Sequence, residues 1–178
     1  MALSKVNFNS MNVTPAASKA IKFNSSNNGL ETGDIGGSLV LISEQTASSS
    51  ANISFTSGID STYKEYIFKF IDIHMATSDA SLTVNFRDGG SNYDATKTTT
   101  FFRAYHNEGD SAQALTYSTS ADLAQSTSAQ AIITSNGTDN DMSASGTLHL
   151  FDPSSTTFVK HFFSDCHVYH KDDYSQRL

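Results

Sequence analysis

The chain has 178 residues, 38% of them hydrophobic and only 16% charged, with a formal net charge of -7 at pH 7. One domain with a real core fits this length, and two comfortable ones do not. The 11 Lys and Arg residues are scattered, with no two adjacent, so the clustered positive charge that grips nucleic acid or anionic lipid is not there.

Residues 1–37 differ in texture from the rest, being rich in Asn, Ser and small residues and ending in a Gly-rich stretch at 33–37. Short strands are expected at residues 5–9 and 20–24. A short helix at 14–19 is weakly signalled. The reading is an extended N-terminal arm that docks through Val6, Phe8, Ile21 and Phe23, since such side chains are wasted on a disordered tail.

From residue 38 onward strand signals alternate with turn signals, so residues 38–178 read as one β-sandwich domain. Strands are expected at residues 38–45, 51–56, 65–75, 81–86, 98–106, 115–118, 129–135, 143–151 and 157–169. Leu82, Val84 and Phe86 alternate with Ser81, Thr83 and Asn85, the period of a half-buried strand. The strand from Glu65 has Tyr66, Phe68 and Phe70 on one face and Ile67, Ile71 and Ile73 on the other. Apolar on both faces, it should sit centrally or be covered by the arm or a neighbouring subunit. Turn chemistry separates the strands at Asp88-Gly89-Gly90-Ser91, Asn107-Glu108-Gly109-Asp110, Asn136-Gly137 and Asp152-Pro153. The expected class is an all-β, antiparallel β-sandwich, jelly-roll-like, with an extended N-terminal arm. After residue 169 no further strand is expected, which leaves an edge for another subunit or for chain beyond Leu178.

The search for chemistry is largely negative. His161, His167 and His170 lie close in sequence to Asp165 and Cys166, but strand geometry points His161, Asp165 and His167 one way and Cys166 and His170 the other. A zinc site needs three or four convergent ligands, so polar strand residues are the preferred reading. The acidic loops 88–94 and 139–141 do not match a calcium-binding loop. No hydrolase, metalloprotease, phosphate-loop or dinucleotide motif is present. No catalytic residue, cofactor or metal is therefore expected. Cys166 is the only cysteine, which excludes an intrachain disulfide and favours a small buried hydrophobe over a reactive thiol. The N-terminus lacks a signal-peptide core, and no run reaches the roughly 18 apolar residues of a membrane helix. A soluble protein made in a cytoplasm is the corresponding expectation.

The runs GGSLVLISEQTASSSA at residues 36–51 and ISFTSGIDSTY at 53–63 are distinctive, as are DGGSNY at 88–93 and FDPSSTTFVK at 151–160. Together they resemble short structural proteins of marine tailed bacteriophages, including those that infect cyanobacteria. The resemblance implies a virion component, tail-fibre-like or decoration-like, and a homotrimer. It carries no catalytic residues. Relatives of this kind continue into a further Gly- and Ser-rich region, so a chain extending past Leu178 is expected.

Three functions follow. The first is a tail appendage or fibre-associated subunit that assembles with itself and with other virion proteins through its arm. The second is a head decoration protein that clips capsomers from outside. The third is a carbohydrate-binding module for host surface glycan, with Tyr93, Tyr105 and Tyr117 as contacts, although no Trp is present to form a platform.

Overall fold

The computed structural model describes residues 13–14, 16–17, 19–34, 39–172 and 174–178. They form ten strands, and there is no helix among them. The chain divides into two compact units, residues 1–44 and 45–178.

In the first unit, β1 (Lys19–Phe23) and β2 (Leu30–Asp34) pair antiparallel, from Lys19 opposite Asp34 to Phe23 opposite Leu30. The connection is built by Asn side chains. The Asn24 amide N–H reaches the Gly29 carbonyl at 3.0 Å, the Asn24 carboxamide bonds Asn28, and Asn27 takes a positive φ of 52°. The strand expected at 20–24 is β1. Its partner was not foreseen, because Leu-Glu-Thr-Gly-Asp lacks β-branched alternation and is placed by pairing alone. The strand expected at 5–9 lies outside the described residues.

The second unit is all antiparallel. It comprises β3 (Glu65–Ile73), β4 (Ala80–Val84), β5 (Phe102–Asn107), β6 (Gln113–Tyr117), β7 (Gln130–Asn136), β8 (Ala144–Phe151), β9 (Phe162–His170) and β10 (Tyr174–Arg177). Hydrogen bonding runs in the order β3-β8-β9-β10-β5-β6, while β4 pairs β7 and β7 touches β9 at Asn136 opposite His170. The pattern of residues explains the packing. Tyr66, Phe68 and Phe70 of β3, Leu148 and Leu150 of β8, and Cys166 and Val168 of β9 share the inner face. Ile132 and Ile133 of β7, with Leu82 and Val84 of β4, pack against it from a second layer. This is the sandwich class expected from the sequence. The strand order alone does not define a jelly roll.

Three expectations need correction and a fourth is narrowed. Residues 39–45 and 51–56 form no strand. Leu39, Val40, Leu41 and Ile42 are all exposed, because a strand persists only where a ladder partner takes its backbone groups. Of the two alternatives for the two-faced strand β3, the central position is removed: among the described strands it pairs only with β8 and lies at the sheet edge, with Ile71 72% exposed beside a bulge at Asp72. The last long strand starts at Phe162 rather than residue 157, leaving Phe158 and Val159 exposed in the preceding loop. Finally, β9 is no open edge. A further strand, β10, pairs with β9 on one side and β5 on the other. Its sequence, Tyr-Ser-Gln-Arg, has no apolar alternation to announce it, yet Gln176 is fully buried.

Candidate functional site

The least protected feature of the second unit is the outer edge of β6. The β5–β6 hairpin turns on Asn107, whose side-chain carbonyl accepts the amides of Ser111 and Ala112 at 2.9 and 2.8 Å. Asn107 N–H bonds the Ala112 carbonyl and Ser118 N–H bonds the Phe101 carbonyl, which fixes the alternation of the ladder. Ala112, Ala114, Thr116 and Ser118 turn their backbone groups to β5. Gln113, Leu115 and Tyr117 direct theirs to the open side. Beside this edge stand Phe102, 61% exposed, Leu115, 76%, and Tyr117, 52%, with Phe102 opposite Tyr117 and Ala104 opposite Leu115.

Sheet edges are ordinarily blunted by charge, proline or bulges. The edge strand β3 carries Glu65, Lys69 and the Asp72 bulge, and β4 has two register shifts against β7. By contrast, β6 reads Gln-Ala-Leu-Thr-Tyr, with no charge, no proline and an unbroken register. Acidic groups stand only beyond its ends: Glu108 and Asp110 in the turn, and Asp122 after it. The Tyr117 hydroxyl donates to Asp122 Oδ2 at 2.5 Å, and this bond raises the phenol above its ordinary pKa.

The outer face of the large sheet mixes rings with ion pairs. His149 stacks on Phe163 at 4.6 Å, with Phe151 alongside, and its Nδ1 lies 2.7 Å from Glu65 Oε1. Arg177 grips Asp165 with two bonds, Nε to Oδ1 at 2.8 Å and Nη2 to Oδ2 at 2.5 Å, holding that carboxyl below its usual range. A shallow depression there includes His106, His167, Ser175 and Arg177. Ser175 Oγ comes within 3.1 Å of His167 Nε2, a serine–histidine pair the sequence did not reveal because it crosses two strands. Asp165, the nearby acid on this face, gives both oxygens to Arg177 instead of orienting the ring. Among the described residues no third member stands aligned with the pair to activate a nucleophile.

The residues singled out from the sequence do not converge. Tyr93 is in a loop under the Arg87 guanidinium, 4.5 Å from its ring centroid. Tyr105 is half-buried on the inner face against Tyr174, and Tyr117 is on the opposite face of the hairpin. Ile21 and Phe23 are exposed on β1, while Val6 and Phe8 lie outside the described residues. Asp165 and His167 point outward and Cys166 and His170 inward. No group of three or more possible metal ligands gathers among the described residues. Burial pushes the Cys166 thiol up to about 11, so it stays protonated within the core.

No family model matches the chain, and neither a curated protein nor a solved structure matches it.

Proposed function

We propose that this chain is a non-enzymatic structural subunit of a tailed-phage virion, a tail appendage or fibre-associated protein that completes its burial against other subunits. One observation carries the reading: large apolar side chains are more often exposed than buried among the described residues, and several gather at an uncharged, unpaired edge. Scattered exposed apolar residues are ordinary on a monomer, whereas a cluster beside open backbone groups marks an interaction surface. The sequence phrases at 36–51, 53–63, 88–93 and 151–160 supply the virion context. A homotrimer is the proposed assembly.

The test is to label purified particles of the parent phage with antibody against this chain. Label confined to the tail supports the appendage. Label distributed over the head replaces it with a decoration protein, and particles left bare, with antigen only in the lysate, remove the virion reading.

A further inference from the structure

We infer that the β6 edge receives an added strand, residues 4–9 of a neighbouring copy of this chain. The inference rests on the assembly reading above and names the surface and the segment that would carry it.

The receptor half is fixed by geometry. Gln113, Leu115 and Tyr117 offer outward N–H and C=O groups over one continuous register, and Phe102, Leu115 and Tyr117 form an apolar margin on one face. An added strand satisfies the first and covers the second, the recognition mode in which main-chain bonds give affinity and alternate side chains give specificity.

The donor half is fixed by pattern and charge. Ser4-Lys5-Val6-Asn7-Phe8-Asn9 alternates strictly, with Val6 and Phe8 on one face and Lys5, Asn7 and Asn9 on the other. Residues 1–30 contain Lys5, Lys19 and Lys22 and no acidic residue, so all 18 Asp and Glu of the chain follow from Glu31 onward. The β6 edge is itself neutral but bracketed by Glu108 and Asp110 at one end and Asp122 at the other. A second copy of β6 would bring acid towards acid if it paired here. Residues 4–9 carry a single charge, that of Lys5, and it has the complementary sign, whereas Lys22 is already paired with Glu31. Residues 10–18 between this segment and β1 can extend about 30 Å. A chain that capped its own edge would hide the same surface without assembling, so the assembly reading requires the edge of another copy. Arm into neighbouring edge is a head-to-tail contact, the kind that closes into a ring such as a trimer.

The experiment uses the full chain in two parts. In the first, variants with one added cysteine at position 6, 7 or 8 are mixed with variants with one added cysteine at 115 or 116 and oxidised. Native Cys166 is 1% exposed and does not compete. The expected result is a disulfide joining the two different variants for residues on matching faces. In the second, Leu115→Pro is compared with Leu115→Ala. Proline removes one outward N–H and leaves the β5 ladder intact, so it is expected to weaken assembly about tenfold beyond alanine. Circular dichroism confirms that each variant keeps its fold, and if Leu115→Pro does not, the trapping result decides. The inference is overturned if the wild-type chain is monomeric at every concentration, if no mixed disulfide forms, or if a Val6→Cys/Leu115→Cys or Phe8→Cys/Leu115→Cys double variant closes within one chain. Particles that carry the protein while trapping fails would leave the virion reading standing and remove only the edge.

Discussion

Leu148 and Leu115 occupy strands of the same sheet, yet one is 1% exposed and the other 76%. The difference is not in local sequence but in what covers each strand. The β4–β7 pair packs over the inner face of β3, β8 and β9, whereas the apolar margin of β5–β6 faces outward with nothing from the second unit upon it. Period-two alternation therefore announces that a strand has an apolar side, without saying whether the same subunit supplies the cover. The strongest way to expose the contrast is Leu148→Ala. Loss of a fully buried leucine from this core is expected to cost about 2–5 kcal/mol in urea-induced unfolding. A cost near zero would mean that the inner face is not the stabilising core.

Next in size is a glycine within that covered region. Gly146 lies opposite both Phe70 and Cys166, and a Cβ there would sit 2.6 Å from the Asp165 carbonyl oxygen and from Cys166 Sγ. Backbone cannot yield as a flexible side chain does, so Gly146→Ala is expected to destabilise by about 1–3 kcal/mol through overpacking. Gly137→Ala is the control. Its added Cβ meets the thioether of Met142, an adaptable side chain rather than backbone, so the loss should be smaller by thermal denaturation.

These cases show how far the fold could be read from sequence. Apolar patterning located β3, β4, β7 and β8 closely, and in β4 and β8 strict alternation marks the face that is buried. The apolar run Leu39 to Ile42, which has no alternation, misled at residues 38–45, since among the described residues no neighbouring strand receives it. Patterning was silent at β2 and β10, whose polar residues are held by backbone pairing that composition does not record. The β6 edge was half legible: the strand was foreseen, but its position at the margin depends on β10 inserting between β9 and β5. The Ser175–His167 pair was hidden for the same reason.

Protonation offers a milder probe of the covered region. His170 is buried where β7, β9 and β10 meet, stacked on Tyr174 at 3.9 Å, with Nδ1 accepting the Asp172 amide at 3.1 Å. Burial lowers its pKa below the usual 6.5. Asp172 and Asp79 oppose that shift, while Lys171 and Arg103 add to it. The unfolded chain then binds a proton before the folded one does. Stability should be fullest above about pH 6.5 and should decline as the pH falls through the folded-state value. The lowered pKa values of Asp165 and Asp172 add their own losses only at more acidic pH, through and below the ordinary carboxylate range. His170→Phe, which preserves the ring stack, should flatten the decline that sets in below about pH 6.5 in pH-resolved denaturation. An unchanged slope would assign it to another group.

The smallest expected effect on the isolated chain is Leu115→Ala. A 76% exposed side chain at an open edge has little burial to lose, so unfolding should shift by no more than about 0.5 kcal/mol. That near-silence is the informative half of the leucine pair. If β5–β6 is surface meant only for water, Leu115→Ala should be equally silent in assembly. If it is surface awaiting a strand, the same substitution should lower the assembled fraction in light scattering while leaving denaturation unmoved. A large change in monomer stability would instead mean that Leu115 is already covered within its own subunit, and the distinction between the two regions would collapse.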